Sequence, residues 1–314
     1  MELRKKRIGV IMGGWSSERE ISIRTGSAVE KILSESGFNV FPVVLKPGDR
    51  KNIEPVIERM RKKIDIAFIA LHGRFGEDGM LQAMLETIGM PYTGSGVNAS
   101  VIAMDKILTK KFFLKNRIPA PEFTVLRRGG KTGRIELPCV VKPASSGSSI
   151  GVSIVFRRKD LMESLRLAWK HDSSALVEEY VPGREITVGV LNKAALPVVE
   201  IVPGLFRKKG QRFYDYRAKY SPGGSDHIIP ARLPEAQSRL AKKTAEKVYE
   251  IIGCSGVVRV DMIAKRNGSV VVLEVNTIPG LTQTSLVPEA AGAAGISFLG
   301  LVLEMCESAL RRKR

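Results

Sequence analysis

Residues 257–264 read VVRVDMIA and residues 273–280 read LEVNTIPG. Each is an apolar, β-branched run that carries polar side chains at a spacing of two: Arg259 with Asp261, and Glu274 with Asn276. A strand turns residues two apart to the same face. Asn267-Gly268 between the runs is the preferred dipeptide of a two-residue hairpin turn. If Arg266 faces Ser269, Asp261 falls opposite Glu274 and Arg259 opposite Asn276. Val260, Met262 and Ala264 then meet Val275, Leu273 and Val271 on the other face.

Directly opposed residues have Cβ atoms about 4.5–5.5 Å apart. Two carboxylates at that separation repel unless they share a proton or bracket a cation. Glu274 and Asn276 alone would also suit a strand with a solvated face; with Asp261 opposite, they form an oxygen-only donor set suited to a hard divalent cation. Three such groups are too few for an all-protein cage. Magnesium keeps waters and completes its shell with phosphate oxygens, so the set implies a nucleotide. Arg259, on the same face, is ready for a phosphate or a developing oxyanion.

A second stretch, VVKPASSGSSIGVS at 140–153, puts Lys142 at a strand exit before a Gly/Ser loop. Such a loop either aims backbone N–H groups and hydroxyls at phosphates or is a solvated connector. The lysine and the flanking apolar strands favour phosphate. In SALVEEYVPGRE, Glu178, Glu179 and Glu185 stand at the end of a third strand. There they either take up an adenine amino group and ribose hydroxyls or face solvent.

Three segments must position these groups. From Lys6 to about Val97, strands RIGVIM, FNVFPVVL and DIAFIALHG alternate with helices, the βαβ pattern of a parallel sheet. Ligands bind beyond the strand ends of such sheets, which is where Gly13, Gly14, His72 and Gly73 fall. Ser17 and Glu20 have capping-box spacing at the start of the first helix. From 98 to 183 a small α+β unit follows. The last part, 184–314, holds two strands, an irregular stretch at 203–230, a helix, the hairpin and two terminal helices. A connection as long as 203–230 suggests a functional loop. The expected class is therefore α/β and α+β, in units 1–97, 98–183 and 184–314.

Bulk properties narrow the alternatives. The chain has 314 residues and 44% hydrophobic content, enough for proper cores, and no apolar run long enough for a membrane span. The N-terminal MELRKKRIGVIMGG reads as a first strand, because its apolar run is too short for a leader. Cys139, Cys254 and Cys306 form no CxxC, and His72, His171 and His227 lack metal-ligand spacing. That cysteine usage fits a reducing cytoplasm. The net charge of +18 raises nucleic-acid binding. The basic residues are dispersed, however, aromatics are 6%, and no nucleic-acid motif is present. GSGVNA at 94–99 has the loose GxGxxA form but follows only a short extended segment, so no nicotinamide site is read there. No Walker motif occurs.

Taken in order, GGWSSEREIS, LHGRFGEDG, PYTGSG, MDK, KPASSGSSIGVS, YDYRAKY, RVDM, LEVNTIPG and TSLVP make the chain resemble the D-alanine–D-alanine ligases over essentially its whole length. The resemblance implies an ATP-grasp fold with an N-terminal Rossmann-like parallel-sheet domain. The implied activity is ATP-dependent joining of two D-alanines through a D-alanyl phosphate, for peptidoglycan precursors. By resemblance, Lys106 and Lys142 contact ATP phosphates. Ser149 lies with Ser148 in the loop that closes over them. Glu178, Glu179 and the chain through Val181 form the adenine hinge, and Glu185 binds ribose. Asp261, Glu274 and Asn276 would hold two magnesium or manganese ions; a potassium requirement is left open. Lys219 would approach the transferred phosphoryl group. Glu18 would hold the first D-alanine's amino group in a network with Ser148 and Tyr220, with His72 nearby. Arg259 and Gly280 would stabilise the tetrahedral intermediate, and Ser285 and Leu286 line the second amino-acid pocket. A cytoplasmic homodimer is implied, with no nucleic-acid or membrane partner.

Two positions depart from the family pattern. Glu179 stands where many members have lysine, which leaves its side-chain contact to adenine in doubt. Arg217 replaces an acidic residue of the lid. Tyr220, in place of the phenylalanine found in D-alanyl-D-lactate ligases, favours an amine as second substrate. The rivals are another ATP-grasp carboxylate–amine ligase and a catalytically silent nucleotide- or nucleic-acid-binding protein. GGWSSEREIS and YDYRAKY argue against the first. The presence of Arg259, Asp261, Glu274 and Asn276 argues against the second.

Overall fold

A computed structural model describes residues 3–130, 132–145, 147, 150–203 and 225–312. Three sheets organise them. The first is parallel, with β1 (Arg7–Gly13) between β2 (Asn39–Leu45) and β3 (Ile66–Ile69). β1 and β3 are almost wholly buried, which is why their sequences are nearly unbroken apolar runs. Helix α1 (Arg19–Glu35) follows β1, and α2 (Glu54–Lys63) precedes β3. Ser22 of α1 ties the ends of β1 and β3 together: its hydroxyl accepts from Gly13 N–H at 2.8 Å and donates to the Ala70 carbonyl at 2.7 Å. The Ser17–Glu20 capping box does not form. The N-cap of α1 is Glu18, with no side-chain cap. The neighbouring Ser16 hydroxyl instead accepts from Glu18 N–H and donates to the His72 carbonyl.

Helices α3 (Met80–Thr87), α4 (Val97–Met104) and α5 (Lys106–Lys115) lead to the second sheet. It is antiparallel, in the order β4 (Phe123–Arg127), β7 (Ser174–Glu179), β5 (Cys139–Pro143), β6 (Ser153–Val155). Cys139, Val141, Ala175 and Val177 on one face pack against Leu161, Leu165 and Trp169 of α6 (Arg158–His171). Lys142 and Glu178 lie on the opposite face, since Val140 pairs with Glu178 and Lys142 with Leu176.

The third sheet runs β11 (Ser225–Ile228), β10 (Val199–Pro203), β8 (Arg184–Leu191), β12 (Val257–Ala264), β13 (Val270–Asn276), with β9 (Ala194–Ala195) on β8. The final residues of the stretch expected to be irregular are thus strand β11. One face, with Val188, Val258, Val260 and Met262, packs on Ala241, Ala245 and Val248 of α7 (Glu235–Ile252) and on Ala99, Ala103 and Phe113 of α4 and α5. Helices α8 (Leu286–Ala293) and α9 (Phe298–Arg311) fill the core between this sheet and the parallel one, so their apolar faces meet Val10, Phe68 and Leu33 as well as Leu191 and Ile201. Arg312 closes that junction. Its guanidinium stacks 4.6 Å from the Tyr92 ring centre and donates to the Gly94 carbonyl and the Ser255 hydroxyl. The three cysteines are buried, and burial pushes the Cys254 and Cys306 thiols up to about 12, as expected of core residues.

The hairpin register needs a correction. Near the turn Ala264 pairs with Val270, Ile263 with Val271 and Met262 with Val272, one residue off the expected pairing. The loop has three residues, closed by Lys265 N–H to the Ser269 carbonyl, with Gly268 at φ 86. A bulge between Asp261 and Met262 then takes up Leu273 and shifts the register back. Beyond it, Asp261 pairs with Glu274, Val260 with Val275 and Arg259 with Asn276, as expected.

Candidate active site

The face of the third sheet away from α7 carries the polar groups. Asp261 pairs with Thr187 of β8 on one side and with Glu274 on the other, and Glu185 pairs with Ile263, so Glu185, Thr187, Asp261 and Glu274 share one face. Asp261 is 7% exposed. Its Oδ1 accepts from Thr187 Oγ1 at 2.6 Å and Arg259 Nε at 2.8 Å, and its Oδ2 from Arg259 Nη2 at 2.7 Å. Arg259 is therefore a bidentate partner of Asp261 and lessens the repulsion expected between the opposed acids. Glu274 has Lys106 Nζ 3.8 Å away. Asn276 Oδ1 accepts from Ile278 N–H at 2.9 Å, which orients the amide after the strand ends.

Asp261, Glu274 and Asn276 fit a hard divalent cation by the chemistry of their donors, all oxygen, on paired strands beside a cleft. Among the described residues no three His, Cys, Asp or Glu side chains are grouped to hold an ion by themselves. An ion here would draw the rest of its shell from water or a bound phosphate.

That cleft lies between the first and third sheets, is open to solvent on one side, and has a cavity volume of about 60 Å³. It is lined by Glu18, His72, Lys106, Arg259, Glu274, Asn276 and Gly280, together with Gly147 of the Gly/Ser loop. Glu18 is 5% exposed, and its carboxylate is confined by two glycines. A Cβ on Gly73 would stand 2.7 Å from Glu18 Oε2, and one on Gly147 3.0 Å from the same atom. His72 is buried, with Nε2 3.0 Å from Thr25 Oγ1 and Nδ1 3.4 Å from Glu77 Oε1. Ser285 sits behind Gly280, its hydroxyl accepting from Thr282 N–H at 3.0 Å. The Leu286 side chain belongs to the apolar core.

A second cluster stands on the facing sheet. Glu178 is 2% exposed and lies between two lysines: Lys142 Nζ at 2.7 Å from Oε2 and Lys110 Nζ at 2.8 Å from Oε1. Burial pushes the Glu178 carboxyl up, but Lys142 and Lys110 together hold it below the usual carboxylate value. Glu179, on the other face of the strand, is exposed, and Val181 is buried at the chain's exit. The start of the Gly/Ser loop is anchored, because Asp172 accepts from Ser145 N–H at 2.9 Å and from the Ser145 hydroxyl at 2.5 Å. Burial raises the Asp172 carboxyl, and these bonds with those from Ser174 and Ser173 bring it below its usual value. Ser148, Ser149, Lys219 and Tyr220 lie outside the described residues, as do Arg217 and most of 203–230.

Lys110, Thr187 and Asp172 were not singled out from sequence. Thr187 carried a signal, since it alternates with Glu185 on one strand face. Lys110 stands four residues after Lys106, hence on the same side of α5. Asp172 had no local signal.

The comparisons agree with this architecture. Family models described as "D-ala D-ala ligase C-terminus" and "D-ala D-ala ligase N-terminus" match residues 115–307 and 48–95. A D-alanine–D-alanine ligase of Syntrophotalea carbinolica is 46% identical over 99% of each chain. One of Geotalea uraniireducens is 44% identical over 96% of this chain and 94% of its own. Among solved structures, the Bacillus anthracis D-alanine–D-alanine ligase complexed with ATP superposes with a TM-score of 0.82 at 35% identity, covering 98% of both chains. A second structure of the Bacillus anthracis D-alanine–D-alanine ligase gives a TM-score of 0.84 at 37% identity, over 97% of both chains. The parallel sheet with two antiparallel sheets is thus the ATP-grasp arrangement, and the chain belongs to the D-alanine–D-alanine ligase family.

Proposed function

We propose that the protein joins two D-alanines to D-alanyl-D-alanine at the expense of ATP, for peptidoglycan precursor synthesis. The observation that carries this reading is the single cleft in which Glu18 and His72 of the first unit meet Lys106, Arg259, Glu274, Asn276 and Gly280. Nucleotide-neutralising and amino-acid-holding groups then stand within reach of one another. The units 1–97, 98–183 and 184–314 remain the proposed division of labour: amino-acid binding, ATP cover, and metal-binding catalysis.

A carboxylate is a poor electrophile, so it is first activated. The carboxylate oxygen of the first D-alanine takes the γ-phosphoryl group of ATP, the bond to the β-phosphate oxygen breaks, and ADP leaves. Phosphoryl transfer asks for alignment and charge neutralisation more than covalent help. Lys106 and Lys142 supply positive charge, and Lys219 is assigned to the moving phosphoryl group. Asp261, Glu274 and Asn276 would hold magnesium or manganese, which when bound adds charge neutralisation at the phosphates. Glu18, beside Gly73 and Gly147, holds the ammonium of the first D-alanine, with Ser148 and Tyr220 in its network. Val181 and Glu185 receive adenine and ribose at the hinge.

The neutral amine of the second D-alanine, in the Ser285–Leu286 pocket, then attacks the acyl carbon. The C–N bond forms, the acyl C–O bond to phosphate breaks, and a proton leaves the nitrogen. Arg259 still has N–H donors beyond the two on Asp261, and with the Gly280 N–H it meets the oxyanion. We read the protein as a cytoplasmic homodimer without nucleic-acid partners. Among the described residues no single helix is long and apolar enough to cross a membrane.

The test is phosphate release from ATP by purified protein with and without D-alanine, with the product analysed. Release that requires D-alanine and yields the dipeptide is expected. Release without D-alanine, or faster use of D-lactate than D-alanine at neutral pH, overturns the reading.

A further inference from the structure

Lys110 is 1% exposed and Glu178 2%, with 2.8 Å between Nζ and Oε1. Lys142, 8% exposed, holds the other oxygen at 2.7 Å. Burying three charges is costly, and an apolar set of similar volume would serve stability as well or better. The cluster therefore calls for a role beyond packing. Its charge is unbalanced: two ammonium groups face one carboxylate. With Glu178 alone beside it, Lys142 would be oriented but neutralised. The second lysine supplies the compensating charge. α5 places Lys106 and Lys110 one turn apart, so the helix that presents Lys106 toward Glu274 also delivers Lys110 to Glu178.

We propose that Lys110 is a positioning residue for ATP: it balances the charge of Glu178, so that Glu178 orients Lys142 while the positive charge of Lys142 remains available to the nucleotide's phosphates. This rests on the ATP-dependent reading of the site. The groups facing Lys110 are Glu178 on β7, Lys142 on β5 and, farther off, Glu274 on β13. Burial, opposed by Glu178, brings the Lys110 ammonium down to about 8. Above that pH Lys110 loses its charge, and Lys142 is left paired to an uncompensated carboxylate.

The experiment is steady-state kinetics of Lys110→Met and Lys110→Arg against the unaltered chain from pH 6.5 to 9.5, varying ATP and D-alanine separately. Lys110→Met should raise the KM for ATP at least about tenfold, the size of losing one partly screened charge interaction across a phosphate site. The KM for D-alanine should stay within about twofold and kcat should change less than the KM for ATP. Lys110→Arg keeps the charge and should hold the KM for ATP near the original. In the unaltered chain kcat/KM for ATP should fall above about pH 8; in Lys110→Arg that fall should be absent, because a guanidinium stays protonated. The arginine variant keeps the test open if Lys110→Met does not fold. An unchanged KM for ATP in Lys110→Met, or the same alkaline fall in Lys110→Arg, overturns the proposal. D-alanine-dependent turnover of the unaltered chain judges the ligase reading separately.

Discussion

Replacing Gly73 by alanine should damage the use of D-alanine and spare the use of ATP. Gly73 has φ 75, a left-handed conformation that costs an L-residue roughly 1–2 kcal/mol. Its new Cβ would stand 2.7 Å from Glu18 Oε2 and 3.1 Å from both Cβ and Oγ of Ser16. Ordinary contact begins near 3.4 Å, so the Glu18 carboxylate must retreat by roughly half an ångström or more. Gly147 also stands close to the same oxygen, since a Cβ there would be 3.0 Å from it. A misplacement of about 1 Å in a positioning group costs on the order of a hundredfold in rate. Half that displacement predicts a loss of about tenfold or more in kcat/KM for D-alanine. ADP formation measured at varied D-alanine and saturating ATP, then the reverse, separates the two substrates, and a melting curve reports the backbone cost. D-alanine kinetics within twofold of the unaltered chain, or an equal loss for ATP, would refute the placement of Glu18 at the amino acid.

Two further outcomes follow from the same geometry. Thr187→Val removes the 2.6 Å bond to buried Asp261 while keeping the side chain's shape. A hydrogen bond to a charged group contributes about 1.5–3 kcal/mol, so calorimetry should show melting several degrees lower, about 2–4 °C per kcal/mol in a chain of this size; a shift under about 1 °C counts against the bond. Asp65 is held down to about 2 by the side-chain and backbone N–H groups of Arg7. A depressed carboxyl stabilises the fold above its ordinary value near 4 and loses that contribution as pH falls through about 2. An NMR titration of the Asp65 carboxyl should therefore show a midpoint near 2, returning toward 4 in Arg7→Met. A midpoint near 4 in the unaltered chain would contradict the pairing.

How far the sequence carried this picture depends on the range of each interaction. The opposed Asp261 and Glu274 were legible because strand alternation is local and one face is continuously apolar. The expected turn was nonetheless one residue too short, and the bulge at Leu273 restored the pairing. Dipeptide preference names a hairpin; it does not determine how many residues close it. The lysines around Glu178 were half legible: Lys142 stands beside its loop, while Lys110 meets Glu178 only through the tertiary approach of α5 to β7. Glu18 was placed by resemblance. Its confinement by Gly73 and Gly147 joins residues more than a hundred positions apart, and no local pattern signals that. The Ser17–Glu20 spacing misled because Ser16, one position earlier, bonds Glu18 and His72 instead.

The most direct measurement is turnover by Glu274→Gln at saturating ATP, D-alanine and magnesium, alongside its melting curve. The substitution keeps the size of the half-buried side chain and removes one charge from the face it shares with Asp261. The account predicts a loss of at least about a hundredfold in kcat, the scale of a misaligned phosphoryl transfer, with melting unchanged within a degree or two. Turnover close to that of the unaltered chain would contradict it.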